Sequence, residues 1–389
     1  MHQNALKSLL ADVKIVDLSR VLAGPFATMT LANLGARVIK VEMPVVGDDA
    51  RAFGPFANGK SLYFSAINCN KESIALNLKR GEDRSIFEKL VSKADVLVEN
   101  YRPGTMEKLG YGWDMLHDRF PQLIYGAVSG FGDTGPRSSL AAYDMVVQGM
   151  GGIMSVTGHP GGAPARVGVS IGDITAGLYL ALGINAALYR RSLAGVGCKL
   201  DIAMLDCQAA IMEDAVTVYA KTGEAPGPLG TRHPTVAPFQ AYAAADGNII
   251  IAAGNDHLFS LATDVLGRPE LARDPRFATN ELRHRNVDAL QAEIESVSVT
   301  RCVSYWLDAL TAKGVPCAPI NDIAHMMAEP QIVARNMIVR VADPVAGELS
   351  VAGNPVKVMG MPEPRTMRPA PELDADRAAI VAEFVGSGR

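Results

Sequence analysis

Nothing in this sequence points to a disulfide framework or a metal cage. Its five cysteines, at 69, 198, 207, 302 and 317, are odd in number and widely spaced, with no CxxC pair and no Cys/His cluster. Reduced thiols and no bound metal are the expectation. No basic block interrupts a chain of net charge −4, so nucleic acid is not an expected partner. The phosphate fingerprint GxGxxG is missing after the first strand, where "SRVLAGPFA" stands instead, which argues against a nicotinamide enzyme. A serine hydrolase, which needs a Ser/His/Asp arrangement to activate its nucleophile, is not the expected class either. The apolar run 174–189 is interrupted by Thr175, Gly177, Gly183 and Asn185, so no membrane partner is expected. The opening "MHQNALKSLLADVK" has no signal-peptide core, and a cytoplasmic location follows as the expectation.

What is present is an ordinary globular composition, 48% hydrophobic and 20% charged over 389 residues, long enough for two domains. "VKIVDLS", "GPFATMTLANLGA" and "RVIKVE" read as strand, helix and strand, a βαβ unit. The alternation continues through "SIALNLK", "RGEDRSIFEKLVSKA", "DVLVENY", "GWDMLHDRF" and "LIYGAVSGFG". It predicts an α/β fold, a doubly wound parallel sheet with helices on both faces. Near residue 222 the Gly/Pro-rich "KTGEAPGPLGTRHPTVAP" marks a linker or active-site loop. A hairpin turning at Asp246-Gly247 and three helical segments then make a smaller α+β domain. The expected division is 1–222 with 335–389 as the large domain, and 223–334 as the small one.

One residue stands out in the stretch 167–191, "VGVSIGDITAGLYLALGINAALYRR". Asp173 is its only carboxylate. The plain explanation is a helix cap, since Asp is a favoured N-cap and Ile174, Leu178, Leu182 and Ala186 share one helical face. The functional explanation is a partly buried nucleophile aimed from a helix start into a pocket.

Several segments together resemble the class III CoA-transferases, the family of formyl-CoA transferase and carnitine CoA-transferase. They are "VDLSRVLAGPFATMTLANLGARVIKVE", "SLYFSAINCNKESIALNLK", "ADVLVENYRPGTMEKLGYGW", "SGFGDTGP", "GDITAG", "DGNIIIAAGND" and "GVPCAPIND". The likeness runs over essentially the whole chain. It implies a Rossmann-like large domain, an interlocked homodimer, acyl-CoA and carboxylic acid substrates, and Asp173 as the catalytic carboxylate. Coenzyme A is then held at the positions matching Val21, Leu22, Leu76, Lys79, Asn100, Arg102 and Lys108. One departure is Met43, where the family often has an arginine on the adenine side; Arg51 and Lys71 are candidate substitutes. Glycines 151, 152, 172 and 230 are candidates for oxyanion donors.

Racemases of the same fold use a His–Asp pair, and Tyr143 occupies the His position of "LAAYDMVVQG". A phenol, with an ordinary pKa of about 10, exchanges protons poorly near neutrality, which favours transfer over racemisation. The loop "LGTRHPTVAP" is similar to relatives using dicarboxylates. Arg232, His233 and Arg166 are candidates for the distal carboxylate, with Tyr143 beside the substrate. The resulting expectation is a succinyl-CoA donor and a C4 or C5 dicarboxylate acceptor such as malate, citramalate, itaconate or mesaconate. A non-catalytic CoA-binding protein is a further alternative, in which Asp173 only caps its helix.

Overall fold

The computed structural model describes residues 8–386, which pack as two units. The first comprises residues up to 154, 166–224 and 330 onward; the second comprises 155–165 and 225–329. The segment 155–165 thus leaves the large unit for the small one, an excursion that its polar, glycine-rich sequence does not announce.

The first unit is built on six parallel strands: β1 (Lys14–Asp17), β2 (Arg37–Glu42), β3 (Lys71–Ala75), β4 (Val96–Glu99), β5 (Ile124–Ser129) and β6 (Lys199–Ala203). Their spatial order is β3-β2-β1-β4-β5-β6. Near-continuous Val, Ile and Leu in the inner strands fit a sheet covered on both faces. One face carries α1 (Ala23–Asn33) and the long α4 (Ile171–Ala194), which interleave Ala27, Leu31, Leu180 and Ile184 with the strands. The other carries α2 (Gly81–Val91) and the C-terminal helix Arg377–Phe384, where Ile86, Phe87, Ile380 and Phe384 fill the core. The edge strand β3 is not left bare: Asp374 and Asp376 accept hydrogen bonds from the Ala75 and Ser73 amides at 2.7 and 2.9 Å.

Helix α4 differs from the sequence reading in two respects. Leu178 and Leu182 face outward, and the buried side is instead Ala176, Gly177, Leu180, Ala181, Ile184 and Ala187. The helix is apolar nearly all round, so apolar spacing alone does not select its core face. By length and composition it could cross a membrane, contrary to the expectation from its interruptions, yet one side of it packs in this core.

The second unit holds an antiparallel sheet of β7 (Phe239–Ala244), β8 (Gly247–Ala252) and β9 (Cys317–Pro319), in the order β9-β8-β7. The hairpin forms one residue earlier than expected, turning at Ala245-Asp246, with Gly247 already in β8 and paired with Ala244. Strand β9 falls in "VPCAPIND", whose prolines mark a connector; as an edge strand it tolerates them. Helices Asp256–Val265, Val287–Ser298 and Val303–Ala312 cover the sheet around Tyr242, Phe259, Leu290 and Trp306. All five cysteines are free thiols.

Candidate active site

In an open parallel sheet, ligands bind beyond the carboxyl ends of the strands, where the strand order reverses. Here the reversal lies between β1 and β4. A cleft of about 250 Å³ opens there, lined by residues at or just beyond the ends of β1 (Arg20, Val21, Leu22), β4 (Asn100, Arg102), β5 (Ser129, Gly130) and β6 (Met204). Tyr143 and Asp173 complete it. Six residues singled out from the sequence thus share one cavity: Val21, Leu22, Asn100, Arg102, Tyr143 and Asp173. Leu76 and Lys79 line a smaller adjoining hollow with Met43, the two being bridged by Tyr101. Lys108 is exposed and lines neither. A larger cavity, about 420 Å³, lies at the far end of α1 among Leu34, Asn354 and Met367. Among the described residues no carboxylate or thiol lines it except Glu363, which is paired with Lys357 at 2.6 Å, so the smaller cleft is the candidate site.

Asp173 is not a cap. The N-cap position of α4 is Ser170, and Asp173 sits three residues on, in the first turn, without a capping bond. Its carboxylate has no hydrogen-bond partner among the described residues. Burial, then the nearby charge of Asp144, push its pKa up to about 7. The approach to Asp173 is fixed by α3 (Asp144–Met150). Asp144, buried, accepts from the Gly172 amide at 2.8 Å and from Gln148 Nε2 at 2.7 Å. Gln148 in turn accepts from the Val167 amide at 2.9 Å. Residue 172 must be glycine, since a Cβ there would lie 2.7 Å from Val147 and 3.0 Å from the Asp144 carboxylate.

Of the proposed oxyanion donors, the amides of Gly172, Gly151 and Gly230 are already engaged. The Gly172 amide serves Asp144, Gly151 donates to the Val147 carbonyl at 2.7 Å, and Gly230 donates to the Gly158 carbonyl at 2.8 Å. Neither proposed substitute for the missing adenine-side arginine is free. Lys71 is fully buried on Asp17, Thr28, Asn68 and the Pro25 carbonyl. Arg51 forks onto Glu42 and lies over the Phe64 ring at 3.9 Å. Their polar atoms are consumed in building the sheet's carboxyl end.

Arg232, in the second unit, donates to Asp288 at 2.6 Å and Gln291 at 2.7 Å, and His233 stacks on Phe239 with ring centres 5.1 Å apart. Arg166 lies 3.8 Å from the Asp144 carboxylate. Tyr143 is 77% exposed and directly precedes Asp144. Sequence reasoning missed Asp144 itself, Arg20 and Tyr63. The first was legible as a lone acid in the apolar run "YDMVVQGM", the second as a cation in the turn after β1. Tyr63, on the helix Leu62–Ile67, has its phenol pushed up to about 12 by burial and then by the charges of Asp173, Asp48 and Asp144.

A partly buried carboxylate with no hydrogen-bond partner among the described residues, in a cleft walled by backbone turns, is equipped for nucleophilic attack. Residues 10–377 match the profile of CoA-transferase family III. The chain belongs to this family. It is 46% identical over 371 residues to acetyl-CoA:oxalate CoA-transferase of Acetobacter aceti, covering 95% of this chain and 94% of that one. With human succinyl-CoA:glutarate CoA-transferase it shares 37% over 377 residues, 97% and 86% of the respective chains. The crystal structure of a CAIB/BAIF family protein from Brucella suis superposes with a TM-score of 0.87 at 38% identity, covering 97% of this chain and all of that one. The protein is thus an enzyme, a CoA-transferase.

Proposed function

We propose that this CoA-transferase moves CoA from succinyl-CoA to a C4 or C5 dicarboxylate through covalent intermediates on Asp173. The observation that carries the mechanism is the unpartnered carboxylate in the cleft, with its proton affinity raised by burial and Asp144. An Asp173 oxygen attacks the thioester carbon, the C–S bond breaks, and a mixed anhydride and CoA thiolate result. The thiolate attacks the aspartyl carbon, the anhydride C–O bond breaks, and the donor acid leaves an aspartyl-CoA thioester. The acceptor carboxylate repeats the two steps in reverse, and Asp173 returns as a carboxylate. No proton or water is consumed, and no metal is required. Val21, Leu22, Asn100 and Arg102, with Leu76 and Lys79 next door, are the proposed CoA contacts. The strand order 3-2-1-4-5-6 supports calling the large unit Rossmann-like, and the free thiols support a cytoplasmic location.

Relatives named for succinyl-CoA with glutarate, mesaconate and D-citramalate support the dicarboxylate class. The 46% identity to an acetyl-CoA:oxalate enzyme favours a second assignment, acetyl-CoA with oxalate. Each donor incubated with an acceptor panel, with CoA products read by mass spectrometry, decides between them. For the mechanism, Asp173→Ala should keep the fold and lose transfer, a barrier increase on the order of 5 kcal/mol or more. Hydroxylamine added after acyl-CoA should modify only the peptide bearing Asp173. Full activity in folded Asp173→Ala would end this mechanism. The racemase alternative makes an opposite demand: deuterium should wash rapidly into the α-carbon of 2-methylacyl-CoA, which a site with Tyr143 in place of His should not allow.

A further inference from the structure

We infer that Asp48 and Asp49 form a clamp that holds the Arg20–Val21 turn in its cleft-lining conformation, making Asp48 a positioning residue for the acyl-CoA site. The turn needs holding. Val21 has φ = +66°, a conformation that a β-branched residue rarely adopts. Each residue of the turn is tied down from below. Ser19 donates its amide and hydroxyl to Asp17, and its carbonyl accepts from Lys40 Nζ at 2.7 Å. Arg20 is bracketed by Asn100, which accepts from its amide at 2.8 Å and donates to its carbonyl at 2.7 Å. Val21 has its amide on Asp48 Oδ1 at 3.0 Å.

Asp48 is itself fixed. Its other oxygen lies 2.8 Å from Lys40 Nζ, and neither side chain is exposed. Its amide donates to Glu42, and Oδ1 also accepts from the Ala50 amide. Burial opposes the charge on Asp48, but Lys40 beside it holds the carboxyl below its usual range, so the pair stays ionised. The next residue continues the grip: Asp49 meets the Arg20 guanidinium at 3.1 Å, above the Tyr101 ring. Two consecutive acids thus hold two consecutive residues of the turn. That turn lines the same cleft as Asp173.

The clamp rests on the cleft being the acyl-CoA site, and a double-mutant cycle tests it separately. Glycine reaches positive φ freely, so a turn bearing Val21→Gly no longer needs Asp48 to impose its shape. Asp48→Asn should lower kcat/KM for acyl-CoA by about tenfold, and by about threefold or less in the Val21→Gly background. A merely structural Asp48 would instead cost the same factor in both backgrounds, and that additivity would overturn the clamp. Should Asp48→Asn fail to fold, the exposed Asp49→Asn reads the same clamp: about a threefold fall in kcat/KM with an unchanged melting temperature supports it, and unchanged kcat/KM overturns it. Labelling of Asp173 by acyl-CoA and hydroxylamine is followed in every variant. Its absence in the wild type defeats the acyl-CoA reading, whereas additive losses in enzymes still labelled at Asp173 defeat the clamp alone.

Discussion

A carboxylate in the first turn of a helix normally gains from the helix dipole, by about 0.3–1 kcal/mol. Asp173 shows the opposite balance. Its pKa is pushed from 3.8 to about 7, a difference of about three units, or roughly 4 kcal/mol against the charged form. Burial and Asp144 therefore outweigh the dipole. Since the ionised form is the nucleophile, kcat/KM for acyl-CoA should rise with pH through about 7 and level off above it. Asp144→Asn removes the neighbouring charge and should move that midpoint down; a midpoint that stays put would mean Asp144 serves only to seat Gly172. Stability runs the other way. The folded pKa lies above the unfolded one, so the contribution of Asp173 is intact below pH 3.8 and is lost as pH rises through about 7. Asp173→Asn should therefore resist urea better than wild type at pH 8, by up to about 4 kcal/mol, and equally at pH 3.5. Asp173 was legible in the sequence as an isolated acid in an apolar run, and the family likeness gave it a role. Its lack of a partner was not legible, because that depends on Asp144 taking the Gly172 amide from a helix 28 residues upstream.

Helices α1 and α4 meet more closely than side chains usually permit. At Gly177 a Cβ would stand 2.7 Å from the Ala23 carbonyl oxygen and 3.2 Å from Phe26. Ala23 begins α1 and lines the cleft, so this contact links helix packing to the site. Gly177→Ala gains about 1 kcal/mol of helix propensity yet must push backbone aside, a strain of about 1–3 kcal/mol. The strain should win: lower stability in urea, and a lower kcat as the α1 start shifts. Gly183, on the same helix, would bring a Cβ only to 3.3 Å from the flexible end of Leu200. Gly183→Ala should therefore be neutral or slightly stabilising, and equal effects at the two sites would discredit the close-approach account. The parallel strands were readable from their apolar runs because a sheet covered on both faces requires them. Strand β6, "KLDIA", was not, since at the sheet edge it carries Lys199 and Asp201. The core face of α4 was misread because its buried side is made of small residues while larger apolar ones point outward.

That outward side bears on the whole molecule. Leu178, Leu182, Tyr189 and Leu193 are 48, 64, 69 and 74% exposed along one side of α4. Val216 and Tyr219, on the helix Ala215–Thr222 of the same unit, are exposed as well. Scattered apolar residues on a surface need no explanation, but a row of them along a 24-residue helix marks an interaction surface. The family likeness supplies the proposed occupant, a second copy of this chain in an interlocked dimer. The connections around the second unit are rich in Gly and Pro, and the chain re-enters the first unit at Pro330. An interlocked pair differs from two chains that merely touch, because folding and association become one event. Dilution should then yield no folded monomer, only dimers and, slowly, unfolded chains. Leu182→Asp with Leu193→Asp would place two charges on the buried surface of such a dimer, and the expected result is loss of folded protein rather than release of monomers. Sedimentation at nanomolar concentration should show wild type at twice its 41.2 kDa chain mass. A compact, active species at the chain mass, in wild type or in the double variant, would rule out interlocking and leave the outward face of α4 without its partner, while the chemistry at Asp173 would stand.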